Sequence, residues 1–390
     1  MRILLFIPQH TFSIDANREL VLMLNERFNA LAKEDNIEAN IVHFYTPQIL
    51  QGVNIVHIFG CWDHNAAKLM QKATKAGIPT IFSPLGGLGP WTIKGKTATR
   101  GLQKNLYQRR MVKQASAVHV AGKFEKDMFS RLRWNNRIAT ISNPALTSLI
   151  TPDNMVKQML VLYRKVLDSN VYSLMSSNAI NALSYILYAA TNPDLAKMPK
   201  AKLIASTEVE QINDEDWRNI CIYAHDELIS DYIARGIEIL TSKFKMINID
   251  NSNRFTPKTN YQNGDLRSDD VISSNIILKS KVEDIATDEE QSERELCMMI
   301  LNIKFEIAHS TLPLRHIVNL AEKLNHEDYD EDTLLNMLNE TNATTFMAQL
   351  ETAMNNILKL SEGYMPVKPS NEKSVKDLIL NITKLKNILQ

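Results

Sequence analysis

The sequence predicts an α/β domain built on a parallel sheet, followed by a mainly α-helical region. Three observations indicate this division. Up to about residue 150, short β-branched runs alternate with longer helix-like stretches, the pattern of parallel strands joined by crossover helices. Nine of the twelve glycines lie in this first part. The first part also carries 19 basic against 9 acidic residues and the remainder 25 against 35, so a 390-residue chain of zero net charge joins a basic unit to an acidic one.

Six strands are predicted in the first part, over 2–7, 38–44, 54–59, 79–83, 117–121 and 138–142. Helices are predicted between them, over 17–34, 63–76, 98–114 and 123–132. Runs such as Ile3–Ile7 and Ile55–Phe59 are almost continuously apolar, as expected of strands whose two faces are both covered by helices. The pattern is typical of a Rossmann-like sheet. The apolar start of the chain is too short for the core of a signal peptide and is interpreted as the first strand.

Strand signals almost disappear after residue 150. Thr151 and Pro152 predict a helix start, because a capping hydroxyl precedes a proline at the first helical position. Further helices are predicted over 173–191, 214–241, 293–309, 313–325, 331–339, 343–360 and 371–388. A polar stretch over 248–292 is predicted to be a linker, with a short helix or strand as an alternative near 271–278. The predicted domains are therefore 1–150, a helical domain over 151–247, the linker over 248–292, and a helical domain over 293–390.

Composition excludes several classes of protein. No apolar run reaches the roughly 18 residues of a membrane-spanning helix, which argues against an integral membrane protein. The three cysteines, Cys61, Cys221 and Cys297, are far apart and in no paired pattern, so neither a disulfide framework nor a cysteine-rich zinc site is expected. A cytoplasmic protein without a bound metal is predicted.

Ligands of open parallel sheets bind beyond the carboxyl ends of the strands, so the loops at that edge hold the candidate site. The loop after the first strand contains His10 and Arg18, which are candidate contacts to a substrate. The alternative is a purely structural loop in which Asp15 caps the next helix.

The loop after the third strand combines an aromatic residue with an acid and a base. Trp62 is a candidate substrate contact, and Asp63 and His64 are candidate catalytic groups. Asp63 is also explained as the N-cap of the helix that follows, and both interpretations stay open.

The loop after the fourth strand is the most specific stretch, Ser83–Trp91. Gly86, Gly87 and Gly89 allow close approach of the backbone and predict amide groups that bind an anion or a sugar hydroxyl. Trp91 at its end is a further candidate substrate contact.

Basic residues concentrate between 94 and 137, where 12 Lys or Arg stand against two acidic residues. Six of them are predicted to contact phosphate or the inner face of a membrane, namely Lys94, Lys96, Arg100, Lys104, Arg109 and Arg110. A solvated basic face that complements the acidic second part is the alternative. Nucleic acid is not expected as a partner, because no recognised nucleic-acid motif accompanies the charge.

Five segments in order carry a family resemblance: Asn54–Trp62, Gly77–Trp91, Leu106–Tyr107 with its basic helix, Ala115–Val120 and Ile141–Pro144. Their order resembles the N-terminal, acceptor-side domain of the family-4 type retaining glycosyltransferases of the GT-B fold, over residues 1–150 only. The resemblance implies transfer of a sugar from a nucleotide diphosphate sugar to a polysaccharide or lipid-linked acceptor in cell-envelope assembly. It also implies no metal or other cofactor, because backbone amides and basic side chains stabilise the leaving diphosphate.

Three departures from the family pattern leave two functions open. Asp15 and Ala16 stand where paired glycines often open the first helix, and Leu85 stands where the family commonly has an active-site histidine. The family's second Rossmann domain, with two glutamates eight positions apart, is not recognisable after residue 150. The chain is therefore either a diverged glycosyltransferase or an inactive, glycosyltransferase-like scaffold. The scaffold would bind an acceptor, a membrane surface or a partner enzyme, the last through its helical half.

Overall fold

The computed structural model describes residues 1–31, 36–94, 97–169, 171–250, 254–255, 275–285, 291–309, 311–361, 363, 365–370 and 373–383. The chain divides into two compact units. The first comprises Met1–Ser173 together with Arg254 and Phe255, and the second begins at Leu174.

The first unit contains one six-stranded sheet in the order β2-β1-β3-β4-β5-β6. Every neighbouring pair of strands is parallel. The strands are β1 (Arg2–Phe6), β2 (Glu38–Val42), β3 (Ile55–Phe59), β4 (Thr80–Ser83), β5 (Ala117–Val120) and β6 (Ile138–Thr140). The predicted α/β fold with a Rossmann-like parallel sheet is confirmed, with every strand end within two residues of its predicted position.

Eight α-helices and a π-helical turn lie among the described residues of the first unit. They are α1 (Gln9–Phe12), α2 (Asp15–Ala30), α3 (His64–Lys75), α4 (Pro90–Lys94), α5 (Thr97–Gln103), the π turn (Lys104–Gln108), α6 (Arg109–Gln114), α7 (Lys123–Ser130) and α8 (Pro152–Asp168). The helix predicted over 17–34 begins earlier, and the loop before it contains α1. The single helix predicted over 98–114 is interrupted by the π turn, which apolar periodicity does not reveal.

The two faces of the sheet carry separate apolar cores. One face packs residues such as Leu5 and Ile55 against α2 and α8. The opposite face packs residues such as Phe6 and Ile58 against α3, α6 and α7. Burial of both faces explains why the strands are apolar throughout.

Helix α8 belongs to the first unit, although the sequence assigned it to the helical region after residue 150. Thr151 caps it as predicted, with its hydroxyl accepting a hydrogen bond from the Asn154 N–H. Its buried residues then pack on the sheet, where the Tyr163 ring lies 5.5 Å from that of Phe28. The first unit therefore ends near residue 173. The changes in glycine content and charge, which placed the division at residue 150, give no information about this packing.

The elements described in the second unit are all helical. The α-helices are α9 (Ser177–Thr191), α10 (Pro199–Glu210), α11 (Asp214–Asp226), α12 (Ser230–Leu240), α13 (Ile276–Ile285), α14 (Gln291–His309), α15 (Leu314–His326), α16 (Glu331–Glu340), α17 (Thr344–Leu358) and α18 (Lys373–Thr383). The described residues contain no helix with both the length and the apolar character needed to cross a membrane.

Three details of the second unit differ from the sequence prediction. The helix predicted over 214–241 is split into α11 and α12 at Leu228, whose φ is +61°. Helix α10 was not predicted, although Pro199 occupies a favourable first-turn position. The predicted linker over 248–292 lies largely outside the described residues, and α13 falls within it.

Candidate functional site

The strand order reverses at β1, which lies between β2 and β3. Such a switch point separates the loops that leave neighbouring strands and opens a crevice at the carboxyl edge of the sheet. Here His10 follows β1 and Asp63 follows β3, and the His10 Nδ1 lies 3.9 Å from the Asp63 Oδ2. The His10 side chain is 60% exposed and that of Asp63 18%, so this pair faces solvent from one side. The structure thus brings together two predicted site residues that are 53 positions apart.

Asp63 has two roles that use different oxygens. Its Oδ1 accepts a hydrogen bond of 2.8 Å from the Ala66 N–H, which caps α3. Its Oδ2 is directed to His10. Both interpretations of Asp63 from the sequence are therefore compatible, since capping leaves the second oxygen for an imidazole or a ligand.

Aromatic and basic groups of the α5–π-turn segment complete the cluster. The Tyr107 ring lies edge-on to the ring of His64, with centroids 5.9 Å apart. Partial burial and then the charge of Asp63 raise the pKa of Tyr107, while Arg100 acts in the opposite direction. The Tyr107 hydroxyl is therefore a neutral hydrogen-bond donor at physiological pH.

Trp62 positions the loop and is only 8% exposed, which differs from its expected role as a substrate contact. Its backbone is in the left-handed region, with φ at +65°. Two hydrogen bonds hold it there: its N–H donates to the Gln108 side-chain oxygen at 2.7 Å, and its indole N–H donates to the Gly87 carbonyl at 2.7 Å. The Arg100 guanidinium covers the ring, 4.8 Å from its centroid. A ligand would reach the indole face only after Arg100 moves, so the exposed groups of the site are His10, His64 and the edge of Asp63.

The glycine loop does not present free amides at its three glycines. The Gly86 N–H donates to the Glu125 carboxylate at 2.6 Å, Gly87 N–H to the Pro84 carbonyl at 2.9 Å, and Gly89 N–H to the Gly86 carbonyl at 3.1 Å. An anion would have to displace these acceptors. The absence of a side chain matters at Gly87 for another reason, because an added Cβ would lie 2.9 Å from the Cys61 sulfur.

The remaining predicted contacts form no described hydrogen bond or ion pair with His10 or Asp63, or are only partly described. Arg18 forms an ion pair of 2.5 Å with Asp15 within the first turn of α2. Asp15 is thus not the expected cap, since residue 14 precedes the helix without a side-chain capping bond. Trp91 is 87% exposed. Arg109 and Arg110 are exposed and Lys104 is half-buried, whereas Lys96 lies outside the described residues and Lys94 is described only as the last residue of α4.

A chain of buried polar side chains, not predicted from the sequence, runs beneath this edge. Tyr163 Oη lies 2.8 Å from His57 Nδ1, His57 Nε2 lies 2.7 Å from Ser83 Oγ, and Ser83 Oγ lies 2.7 Å from His119 Nδ1. His119 Nε2 then lies 2.9 Å from the Ile141 carbonyl, which can only accept. His119 therefore donates through Nε2, and the remaining bonds follow in one direction: Tyr163 O–H to His57, His57 N–H to Ser83, and Ser83 O–H to His119. The sequence signal that could have revealed this chain of side chains is the presence of His57, Ser83 and His119 within otherwise apolar strands.

Burial keeps both imidazoles of this chain neutral. It lowers the pKa of His57 well below its usual value, with His119 adding to the effect, and lowers the pKa of His119 to about 4. Each donor and acceptor in the sequence of bonds is satisfied when the rings are neutral, and a proton on either ring would reverse one bond. The chain fixes β3, β4 and β5 relative to α8 and is closed to solvent, so its role is to position the edge that carries the site.

The described residues contain no group of three or more His, Cys, Asp or Glu side chains that could hold a metal ion. All three cysteines are free and buried, and burial raises the pKa of Cys61 well above its usual value, so its thiol is protonated. The chain matches no protein-family model, no curated protein and no solved structure.

Proposed function

We propose that the chain is a glycosyltransferase-like protein whose first unit binds a nucleotide sugar or a cell-envelope glycan acceptor at the β1–β3 switch point. The approach of His10 to Asp63 carries this proposal. Carboxylate and imidazole groups accept hydrogen bonds from sugar hydroxyls, and Tyr107 supplies a donor beside them. Arg100 is the basic group adjoining the cluster and would face a phosphate.

The chemistry expected of such a site is proton transfer combined with stabilisation of charge. Asp63 is anchored by α3 through one oxygen, so its other oxygen is held in place for a substrate hydroxyl. His10 would exchange a proton with the same hydroxyl, and a developing negative charge on a leaving phosphate would be stabilised by Arg100. The amides of the glycine loop contribute only if Glu125 is displaced from Gly86.

Ligand-observed NMR of the full-length protein tests this proposal, using uridine, guanosine, cytidine and thymidine diphosphate sugars. We expect selective saturation transfer to one donor. Asp63→Asn should weaken that binding by at least about tenfold, because asparagine preserves the helix cap but removes the charge. Asp153→Asn is the matched control, since Asp153 lies in the first turn of α8 and is paired with Arg27. Absence of binding of every donor by the folded protein would refute a nucleotide-sugar site, and equal binding by Asp63→Asn would remove Asp63 from it.

A catalytically inactive scaffold is the second candidate, and one observation favours it. The described residues of the second unit form only helices, so no parallel sheet is seen there to bind a donor nucleotide. This candidate predicts that a bound nucleotide sugar is neither hydrolysed nor transferred. It also predicts that the full-length protein co-purifies with an enzyme of envelope synthesis. Turnover that is lost in Asp63→Asn and retained in Asp153→Asn would exclude it.

Peripheral contact with an anionic membrane is a further part of the proposal. Leu102 and Leu106 are 61% and 66% exposed, and Arg110 and Lys113 are exposed in α6, which follows the π turn. Apolar side chains flanked by cations suit the boundary of an anionic leaflet.

Vesicle sedimentation tests this membrane contact. Binding to vesicles of phosphatidylglycerol and phosphatidylcholine should fall with salt and should be lost when Leu102 and Leu106 are both changed to Ser. Leu149→Ser, which alters a residue 90% exposed elsewhere in the unit, serves as the control. Equal binding to pure phosphatidylcholine would contradict an electrostatic contact.

A further inference from the structure

A cavity lies on the first unit between the glycine loop and α7. Its volume is about 340 Å³, a figure that includes space open to solvent. The lining is mainly apolar, with one ionisable side chain, and consists of Pro84, Gly86, Leu88, Gly89, Phe124, Glu125, Met128 and Phe129. Every lining residue is described and lies within the first unit.

The apolar walls combine rigid and adaptable parts. Phe129 and Leu88 are buried in the core beside the sheet and give the cavity a fixed wall. Phe124, in contrast, is 73% exposed, and a ligand in the cavity would remove part of its ring from water. Met128 is half-buried and unbranched, so it can adjust to the shape of a ligand.

Glu125 determines the charge that this cavity accepts. Its Oε1 receives the Gly86 N–H at 2.6 Å and its Oε2 receives the Ala121 N–H at 2.8 Å. The two amides at the ends of β4 and β5 are thus neutralised by the protein's own carboxylate. A carboxylate has about four acceptor positions, so two remain after these bonds. A ligand anion beside it would be repelled, whereas a hydroxyl or N–H group would find an acceptor.

We propose that this cavity is a binding site for an uncharged aromatic or alicyclic molecule that carries one hydroxyl or N–H donor. The apolar body would lie against Phe124, Met128 and Phe129, and the donor would bind the free lone pairs of Glu125. This site and the His10–Asp63 pair involve different side chains. The inference therefore does not depend on glycosyl transfer and would survive failure of the nucleotide-sugar experiment.

Two fluorescent probes with the same aromatic frame test the proposal on the full-length protein. N-phenyl-1-naphthylamine is uncharged and has one N–H, while 8-anilino-1-naphthalenesulfonate adds a negative sulfonate to that frame. We expect the uncharged probe to bind at one site with at least about tenfold higher affinity than the sulfonate. Glu125→Gln should reduce this preference by at least about threefold, because it removes the charge and keeps an acceptor.

Variants of the walls locate the bound probe. Met128→Trp should fill the cavity and weaken binding of the uncharged probe at least about tenfold, and Phe124→Ser should weaken it in a protein whose core is untouched. Phe44→Ser removes an aromatic ring that is 63% exposed outside the cavity and should leave binding unchanged. Circular dichroism establishes that each variant is folded. No binding of the uncharged probe, unchanged binding in Phe124→Ser, or a charge preference that is absent or unaffected by Glu125→Gln would each overturn the proposal.

Discussion

The buried chain Tyr163–His57–Ser83–His119 predicts that the first unit loses stability in mild acid. The pKa of His119 is lowered from its usual 6.5 to about 4 because burial disfavours its charged form. The folded value lies below the unfolded one, so the unfolded state takes up the proton first as the pH falls. The stability contributed by neutral His119 is fully present above pH 6.5 and is lost as the pH falls towards 4.

The magnitude follows from this pKa difference. Each unit corresponds to about 1.4 kcal/mol, so His119 alone lowers the free energy of unfolding by about 3 kcal/mol between pH 7 and pH 4. His57 acts in the same direction, because burial also lowers its pKa. Carboxylates of the unit titrate over part of this range as well. A variant that lacks the titrating imidazole at position 119 is therefore needed to isolate the contribution of His119.

Urea unfolding at pH 7, 6, 5 and 4 provides the assay, with tryptophan fluorescence as the signal. Trp217 is the one tryptophan of the second unit, so Trp217→Phe makes the signal specific to the first. In this background, His119→Gln should be less stable at pH 7 but should lose about 3 kcal/mol less between pH 7 and pH 4. Equal losses in both proteins, within about 0.5 kcal/mol, would refute the assignment of a neutral, buried His119.

Three further predictions concern individual side chains. Ser83→Ala leaves two imidazole nitrogens without partners and should cost about 2–5 kcal/mol in urea unfolding, more than Tyr163→Phe, which leaves one; equal costs would contradict the two hydrogen bonds assigned to the Ser83 hydroxyl. Gly60→Ala should destabilise more than Gly86→Ala, because both positions have positive φ but an added Cβ lies 2.6 Å from a side-chain oxygen at Gly60 and meets nothing within 4 Å at Gly86. Similar thermal midpoints for these two variants would show that the contact at Gly60 relaxes. Burial raises the pKa of Glu351 from 4.5 to about 8, so the stability that its protonated form contributes to the second unit should be lost progressively as the pH rises from 4.5 to 8, by roughly 4–5 kcal/mol in total. Glu351→Gln should abolish this loss in hydrogen exchange of α17, and an unchanged pH dependence would contradict the assignment.

The sheet was predictable because its determinants are local. Continuous apolar runs such as that of β3 identify a strand covered on both faces, and this signal needs no knowledge of neighbouring strands. The cap at Thr151 was predictable for the same reason, since the hydroxyl, the proline and the capped amide lie within four residues. Helix α8 was predicted as an element. Its membership of the first unit depends on contacts with residues more than 100 positions earlier, such as that between Tyr163 and His57.

The candidate site was predictable in its residues but not in its geometry. Apolar pattern placed His10 and Asp63 at the ends of strands, whereas their proximity depends on the order of strands in the sheet. The glycine loop shows the limit most clearly. Three glycines indicate amides that can approach a ligand, but the partner of the Gly86 amide is decided by Glu125, 39 positions later. Sequence pattern could not show that the protein itself supplies the anion there.

His119 and Glu351 make the stability of their units depend on pH in opposite directions. The stability contributed by neutral His119 is fully present above pH 6.5 and is lost towards pH 4, while that contributed by protonated Glu351 is fully present below pH 4.5 and is lost towards pH 8. If the stability of the whole protein is followed by one signal, its pH dependence therefore combines two curves of opposite slope. The combined curve would show a broad maximum that neither unit has by itself. Activity or ligand binding at the His10–Asp63 pair depends on the first curve alone, since that pair lies on the first unit. Loss of ligand binding in mild acid should accordingly coincide with unfolding of the first unit, measured by tryptophan fluorescence of the Trp217→Phe protein. Loss of binding in alkali without a change in this fluorescence would show that the responsible titrating group lies in the site itself.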